Sequence, residues 1–315
     1  MGGHMKIGLH DADADHIKNK SFPNYALMKI SAWYKQQGDT VEWWNPLYTY
    51  DRVCSSKIFD FTREDLYLPD KTIKGGTGYH EISLKHELPS VIDNMLPDYS
   101  IYPDCDYAIG YLTRGCPNNC RWCLVPKKEG NIRPYREWQQ VVRPDTNKLV
   151  LMDNNILACE HGIEQLRGLA ATDYRIDLNQ GMDIRLVTEE TVKLFKEIKW
   201  IRFIRLSCDT KSQIPHFKRV AKLFRKHNVG LSKMFVYVLV TKDLDNADHR
   251  VQSLNRISGN LHIYAQAERN DRKGIVPNKM QLEFTQRYVY GRLYRRETWQ
   301  QYCERKGFNG RTMET

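Results

Sequence analysis

The chain has 315 residues, of which 41% are hydrophobic, and 48 Lys and Arg against 38 Asp and Glu give it a formal charge of +10. That composition supplies an ordinary core. No run approaches the ~18 apolar residues of a membrane span and no signal-peptide pattern is visible. Eight cysteines in a chain of this length do not make a disulfide scaffold, so a reducing, cytoplasmic location is expected.

Met1-Gly2-Gly3-His4-Met5 reads as a cloning remnant, with natural sequence expected from Met5 or Lys6. Residues 1–102 carry a net −3, 103–270 a net +8 and 271–315 a net +5. This predicts a mildly acidic domain and linker over 6–102, a basic core domain over 103–270 and a basic extension over 271–315. In the first of these, 6–13 reads as a strand, 24–37 as a helix closed by Gly38, 40–44 as a second strand, and 51–59 contains a weak third. Gly75-Gly76-Thr77-Gly78-Tyr79 marks a tight turn or a close backbone approach, and 88–103 is a turn-rich linker. Further on, strands are expected at 107–112, 148–152, 175–178, 200–206, 234–240 and 261–265. Helices are expected between them at 160–170, 188–198, 214–227 and 247–257. Six strands with intervening helices predict a parallel sheet, open or curved into part of a barrel. Functional groups in such sheets gather at the carboxyl ends of the strands.

Cys116, Cys120 and Cys123 lie within eight residues, in a loop expected at the carboxyl end of the 107–112 strand. Three thiolates can hold three corners of a four-iron cluster and leave one iron open for a small molecule. The alternative is a structural zinc, which wants a fourth ligand; Cys105, Cys159 or His161 would have to fold back to supply it.

The Cys-x3-Cys-x-aromatic-Cys spacing, with Trp122 in the aromatic position, resembles the signature of the radical S-adenosylmethionine (SAM) superfamily over roughly residues 105–270. The resemblance implies an α/β protein in which a small N-terminal Rossmann-like domain precedes a partial (βα)6 barrel and a short helical tail. It implies a four-iron, four-sulfur cluster on Cys116, Cys120 and Cys123, SAM on the open iron, and a 5′-deoxyadenosyl radical that abstracts hydrogen from substrate. It also implies a flavodoxin- or ferredoxin-like electron donor. Cofactor contacts are expected from Trp122, from Asp153 and Asn154 after the second strand, from Gln180, Asp183 and Arg185 after the third, and from Asp209 after the fourth. Other roles for these residues are an Asx turn at Asp153, a local ion pair between Asp183 and Arg185, and a helix cap at Asp209. Glu268 or Arg269, after the sixth strand, is expected to face substrate.

The segment Pro126-Lys127-Lys128-Glu129-Gly130 resembles the stretch that follows the cluster in methylthiotransferases. Those enzymes carry three further N-terminal cysteines, however, where this chain has Cys54 and Cys105. The first domain resembles a cobalamin-binding domain without its Asp-x-His-x-x-Gly motif; His10 and His16 stand in the wrong pattern, so a degenerate domain without cobalamin is expected.

Residues 284–296 interleave Arg287, Arg292, Arg295 and Arg296 with Tyr288, Tyr290 and Tyr294. Such a pattern either stacks bases and neutralises phosphates or packs its rings inward and leaves its arginines in water. With the basic core, it favours an anionic substrate, a nucleic acid or nucleotide. A peptide or small metabolite, and a non-catalytic iron–sulfur or zinc module that binds nucleic acid, are the alternatives. Trp299, Tyr302 and Phe308 predict a C-terminal helix that docks back.

Overall fold

The computed structural model describes residues 4–14, 22–79 and 87–308; His16 lies outside them. The chain divides into two compact units, one running to Ile109 with Leu124–Gly130 added, the other formed by Gly110–Cys123 and the chain from Asn131 onward.

In the first unit, β1 (Lys6–Asp11) is followed by helix α1 (Tyr25–Gln36), β2 (Thr40–Trp43), β3 (Arg52–Ser56) and β4 (Ile73–Gly75). All pair in parallel in the order β2-β1-β3-β4. Asn24 caps α1 by accepting from Leu27 N–H. One face of α1 buries Leu27 and Tyr34 with Ile7, Leu9 and Cys54. The glycine-rich run makes the close backbone approach expected of it, after Gly75 ends an edge strand. Gly76 holds φ +93°, and a Cβ there would stand 2.3 Å from the Lys57 carbonyl, so only glycine lets the backbones meet.

In the second unit, the labelled elements begin with β5 (Ala108–Gly110), whose last residue belongs here, and α2 (Val125–Glu129), which belongs to the first unit. They continue with β6 (Lys148–Leu151), α3 (Glu160–Ala170), β7 (Arg175–Leu178), β8 (Met182–Asp183), α4 (Glu189–Glu197), β9 (Lys199–Trp200), β10 (Ile204–Ser207), α5 (Ile214–Lys226), β11 (Met234–Val240), α6 (Leu244–Ile257), β12 (His262–Ala267), α7 (Lys279–Glu283) and α8 (Trp299–Lys306). β9, β7 and β6 form one parallel ladder, which Gly110 continues by accepting from Met152 N–H. β8, β10, β11 and β12 form another.

The strand expected at 200–206 is two pieces, because 201–203 bends away between them. Both pieces keep one register against the preceding strand: Lys199 pairs with Arg175 and Leu206 with Met182. Beside the interruption, Arg205 on β10 donates to Asp177 on β7 at 2.8 and 2.6 Å, a bidentate ion pair between the two ladders. On β11 buried and half-buried residues alternate, the period-2 pattern of a sheet with one covered face; Val236, Val238 and Val240 take the covered side.

The tail resolves the choice posed by its pattern. Tyr288 and Tyr294 are buried, Tyr288 within ring contact of Phe284, Trp299 and Tyr302. Asp248 on α6 accepts from the Tyr288 hydroxyl at 2.6 Å and from Trp299 N–H at 3.1 Å. Burying rings against one another outweighs exposing them, so among these tyrosines Tyr290 alone is exposed, and the rings are not a base-stacking platform. The final helix docks as expected.

Candidate functional site

The cysteine loop starts where Leu112 and Thr113 leave the first strand of the second unit. Asp153, just past β6, holds that departure point. Its carboxylate accepts from Leu112 N–H at 3.1 Å, from Thr113 N–H at 2.5 Å and from the Thr113 hydroxyl at 2.7 Å. Burial pushes the Asp153 carboxyl up to about 6, while these donors oppose the shift. Asp153 thus ties two strand ends together rather than capping a helix. Gly115, at φ +83°, then turns the chain into the cysteines.

Cys116, Cys120 and Cys123 are all half-buried. The Cys120 carbonyl accepts from Cys123 N–H at 3.0 Å, which folds the Arg121-Trp122 segment into a turn. Trp122 is half-buried on it. Burial pushes the Cys120 thiol up, the neighbouring Cys123, Cys116 and Asp209 add to the rise, and Arg185 opposes them. Cys120 thus lies within charge range of the other two thiols and of Arg185. Among the described residues no three His, Cys, Asp or Glu side chains converge on a single ion position. A cluster interposes several irons between its thiolates, so its ligands need not meet at one point.

Asp183 and Arg185 do form the local ion pair, with Arg185 donating at 2.5–3.0 Å through Nε and Nη2. Burial would raise the Asp183 carboxyl, but the hydrogen bonds from Arg185 and Asn118 win and hold it below its usual range. Arg185 remains 47% exposed on its side chain, so the pair leaves its outer edge open to an anion. Gln180 is exposed and Asn154 half-buried. Asp209 does not cap α5: Thr210 and Gln213 form a capping box on the short 3-10 turn Lys211–Gln213 that leads into that helix, and Asp209 accepts from Leu239 N–H at 3.1 Å. Burial raises its carboxyl. Arg269 pairs with Asp271 at 2.8 Å, and Glu268 N–H donates to the Val240 carbonyl.

No family model matches the chain. Over 137 residues the chain is 29% identical to the ribosomal protein uS12 methylthiotransferase RimO of Clostridioides difficile (strain 630), a match that takes in 42% of this chain. It spans 28% of the length of that relative. The likeness is thus to part of an enzyme.

Three residues of this region are not singled out by sequence reasoning. Asn118 Nδ2 donates to Asp183 Oδ2 at 2.9 Å. Buried Asn155 approaches Cys116 Sγ at 3.8 Å through its Nδ2 and accepts from Asp183 N–H at 3.4 Å. These two amides link the thiol loop to β8. Fully buried Arg250 donates to the Cys208 and Leu239 carbonyls, both at 2.7 Å, and so satisfies strand ends beside Asp209. Arg250 did leave a signal, because it stands in the apolar stripe Ala247, Val251 and Leu254 of α6, where a lone cation needs buried acceptors.

Proposed function

We propose that the chain is a radical SAM enzyme whose residues Cys116, Cys120 and Cys123 hold a four-iron, four-sulfur cluster. The observation that carries this reading is that three half-buried thiols share one short loop, which Asp153 fastens at the carboxyl end of a parallel sheet. The likeness to a methylthiotransferase supports it. In this reading the two ladders of the second unit are one partial (βα)6 barrel, since β7–β8 and β9–β10 keep a single register across their interruption. The first unit is a degenerate cobalamin-type domain, and the boundaries fall near residues 102 and 270.

The donor set fits the group: three half-buried thiols and no fourth cysteine in the loop leave one iron for SAM. When bound, the cluster supplies the electron that cleaves SAM to a 5′-deoxyadenosyl radical. The chain's own residues do the rest. Arg185 opposes the rise in the Cys120 thiol and so favours the thiolate that iron needs. Asp153 and Asn155 set the loop's position. Trp122, Asp153, Asn154, Gln180, Asp183, Arg185 and Asp209 are the contacts for SAM. A flavodoxin- or ferredoxin-like protein in the cytoplasm gives the electron, and cobalamin takes no part. The substrate is anionic, a nucleic acid or nucleotide, on the strength of the +8 carried by residues 103–270. A protein substrate is the second reading, favoured by the action of the matched relative on a ribosomal protein. Methylthio transfer is set aside because Cys54 and Cys105 cannot furnish a second three-cysteine cluster.

Anaerobic reconstitution tests the reading. About four irons per chain and 5′-deoxyadenosine on reduction with SAM are expected; a single zinc without SAM cleavage would overturn it.

A further inference from the structure

Helices α5 and α6 enclose a groove of about 500 Å³ lined by Lys218, Lys222, Arg225, Ser253, Arg256 and Ile257. Lys218, Lys222 and Arg225 recur at intervals of four and three residues and therefore share one face of α5. Arg256 approaches from α6. All four cations are exposed, and among the described residues no carboxylate lines the groove. The polar contacts of the arginines are made locally: Arg225 donates to the Ile257 carbonyl at 2.9 Å and Arg256 to the Ser253 hydroxyl at 3.1 Å. Neighbouring Lys226, by contrast, is matched by Glu189 at 2.8 Å. Four like charges held together, with no counter-charge among the described lining residues, repel one another, a cost that a bound anion removes.

The lining also selects the kind of anion. From Lys218 to Arg225 the helix rises ~10 Å, too far for one phosphate. Ile257 is the one apolar lining residue, whereas protein interfaces are anchored by aromatic and apolar side chains in desolvated pockets. Interfaces with nucleic acid are polar and strongly positive. We propose that the α5–α6 groove binds the phosphodiester backbone of a nucleic acid, independently of sequence. Lys218, Lys222, Arg225 and Arg256 face successive phosphates, and Ser253 offers a hydroxyl between them. More cations flank α6, for Arg292 and Arg295 lie on or beside a short turn packed against it, near Arg202 and His262. The groove is made of helix surface remote in sequence from the cysteine loop, so this inference stands whether or not the chain cleaves SAM.

The test uses the full chain, fluorescent 20-nucleotide RNA and DNA of mixed sequence, and anisotropy titrations between 50 and 200 mM salt. The wild type should bind both, with affinity falling steeply as salt rises. The K218Q/K222Q variant should lose at least tenfold at 100 mM salt, with its logarithmic salt slope shallower by about 1.4, since each lost single-strand phosphate contact removes about 0.7. A control variant on α4, K193Q/K196Q, removes the same charge from exposed positions and should bind as the wild type does. Equal losses in the two variants, or no binding at 50 mM salt, would overturn the proposal. Displacement of the RNA by polyglutamate as effectively as by unlabelled RNA would overturn it in favour of an acidic protein. SAM cleavage should be the same in both variants, which separates failure of the groove from failure of the cluster.

Discussion

At the carboxyl end of β1 and β3, Asp13 accepts from Ile58 N–H at 2.6 Å and from the Thr62 hydroxyl at 2.6 Å, and Asp11 accepts from Tyr102 at 2.9 Å. At the carboxyl end of the other parallel sheet, Asp153 accepts from Leu112 and Thr113 in the same manner. Both are buried aspartates that fasten a loop to a strand end. In the first unit that fastening is a closed account, with the carboxylate met by the loop it organises. In the second, the fastened loop goes on to carry three half-buried thiols, and the next strand ends leave Arg185 and Gln180 exposed. A parallel sheet draws polar groups to the same edge; what distinguishes a candidate reaction centre is that its loop brings three half-buried thiols there.

Four measurements test that contrast. The largest effect is expected for Cys120→Ala, which should abolish iron loading and 5′-deoxyadenosine formation together; retention of either would show that the thiols are misassigned. Next come the two aspartates. Asp13→Ala and Asp153→Ala each strand buried donors and should cost about 2–4 kcal/mol in urea unfolding, but only Asp153→Ala should also lower iron content. Equal iron in the two variants would erase the distinction drawn here.

A smaller effect separates the units by pH. The Asp153 carboxyl is raised from 3.8 to about 6, so the folded state holds its proton more tightly than the unfolded chain does. Its contribution is fully present below about 3.8 and is lost as pH rises through about 6, a difference of roughly 3 kcal/mol. Asp153→Asn should flatten that part of the profile. The smallest effect lies at acid pH in the first unit. Burial opposes ionisation of Asp98, but hydrogen bonds from Lys35, Ser31 and Ser100 hold its carboxyl down to about 2. That stabilisation is present above about 3.8 and is lost as pH falls through about 2, roughly 2 kcal/mol that Asp98→Asn should remove. Profiles of the same sign for the two variants would refute both assignments.

Regular elements were legible from periodicity. The 175–178 and 234–240 strands and the 160–170 helix stand where apolar spacing puts them, because local pattern and burial agree there. The split of 200–206 was not legible, since Trp200, Ile201, Phe203, Ile204 and Leu206 keep the segment rich in strand-forming residues through the bend. At the candidate site the cysteines were plain from spacing, and the Asp183–Arg185 pair was one of two readings already in view. Asn155 was hidden behind Asp153 and Asn154: in a run of three short polar residues, only the burial of one beside Cys116 tells them apart. The arginines of the tail suggested a surface for bases, and packing of Tyr288 onto Trp299 removed the rings from it.

The interruption between β7–β8 and β9–β10 has a mechanical consequence. Within each ladder, strands are joined by rows of amide-to-carbonyl bonds, which must break in series before neighbours can part. Between the ladders, Arg205 and Asp177 make a clasp of side chains, and a register shared above and below keeps the two edges aligned. Breaking that clasp costs one ion pair and leaves both ladders whole.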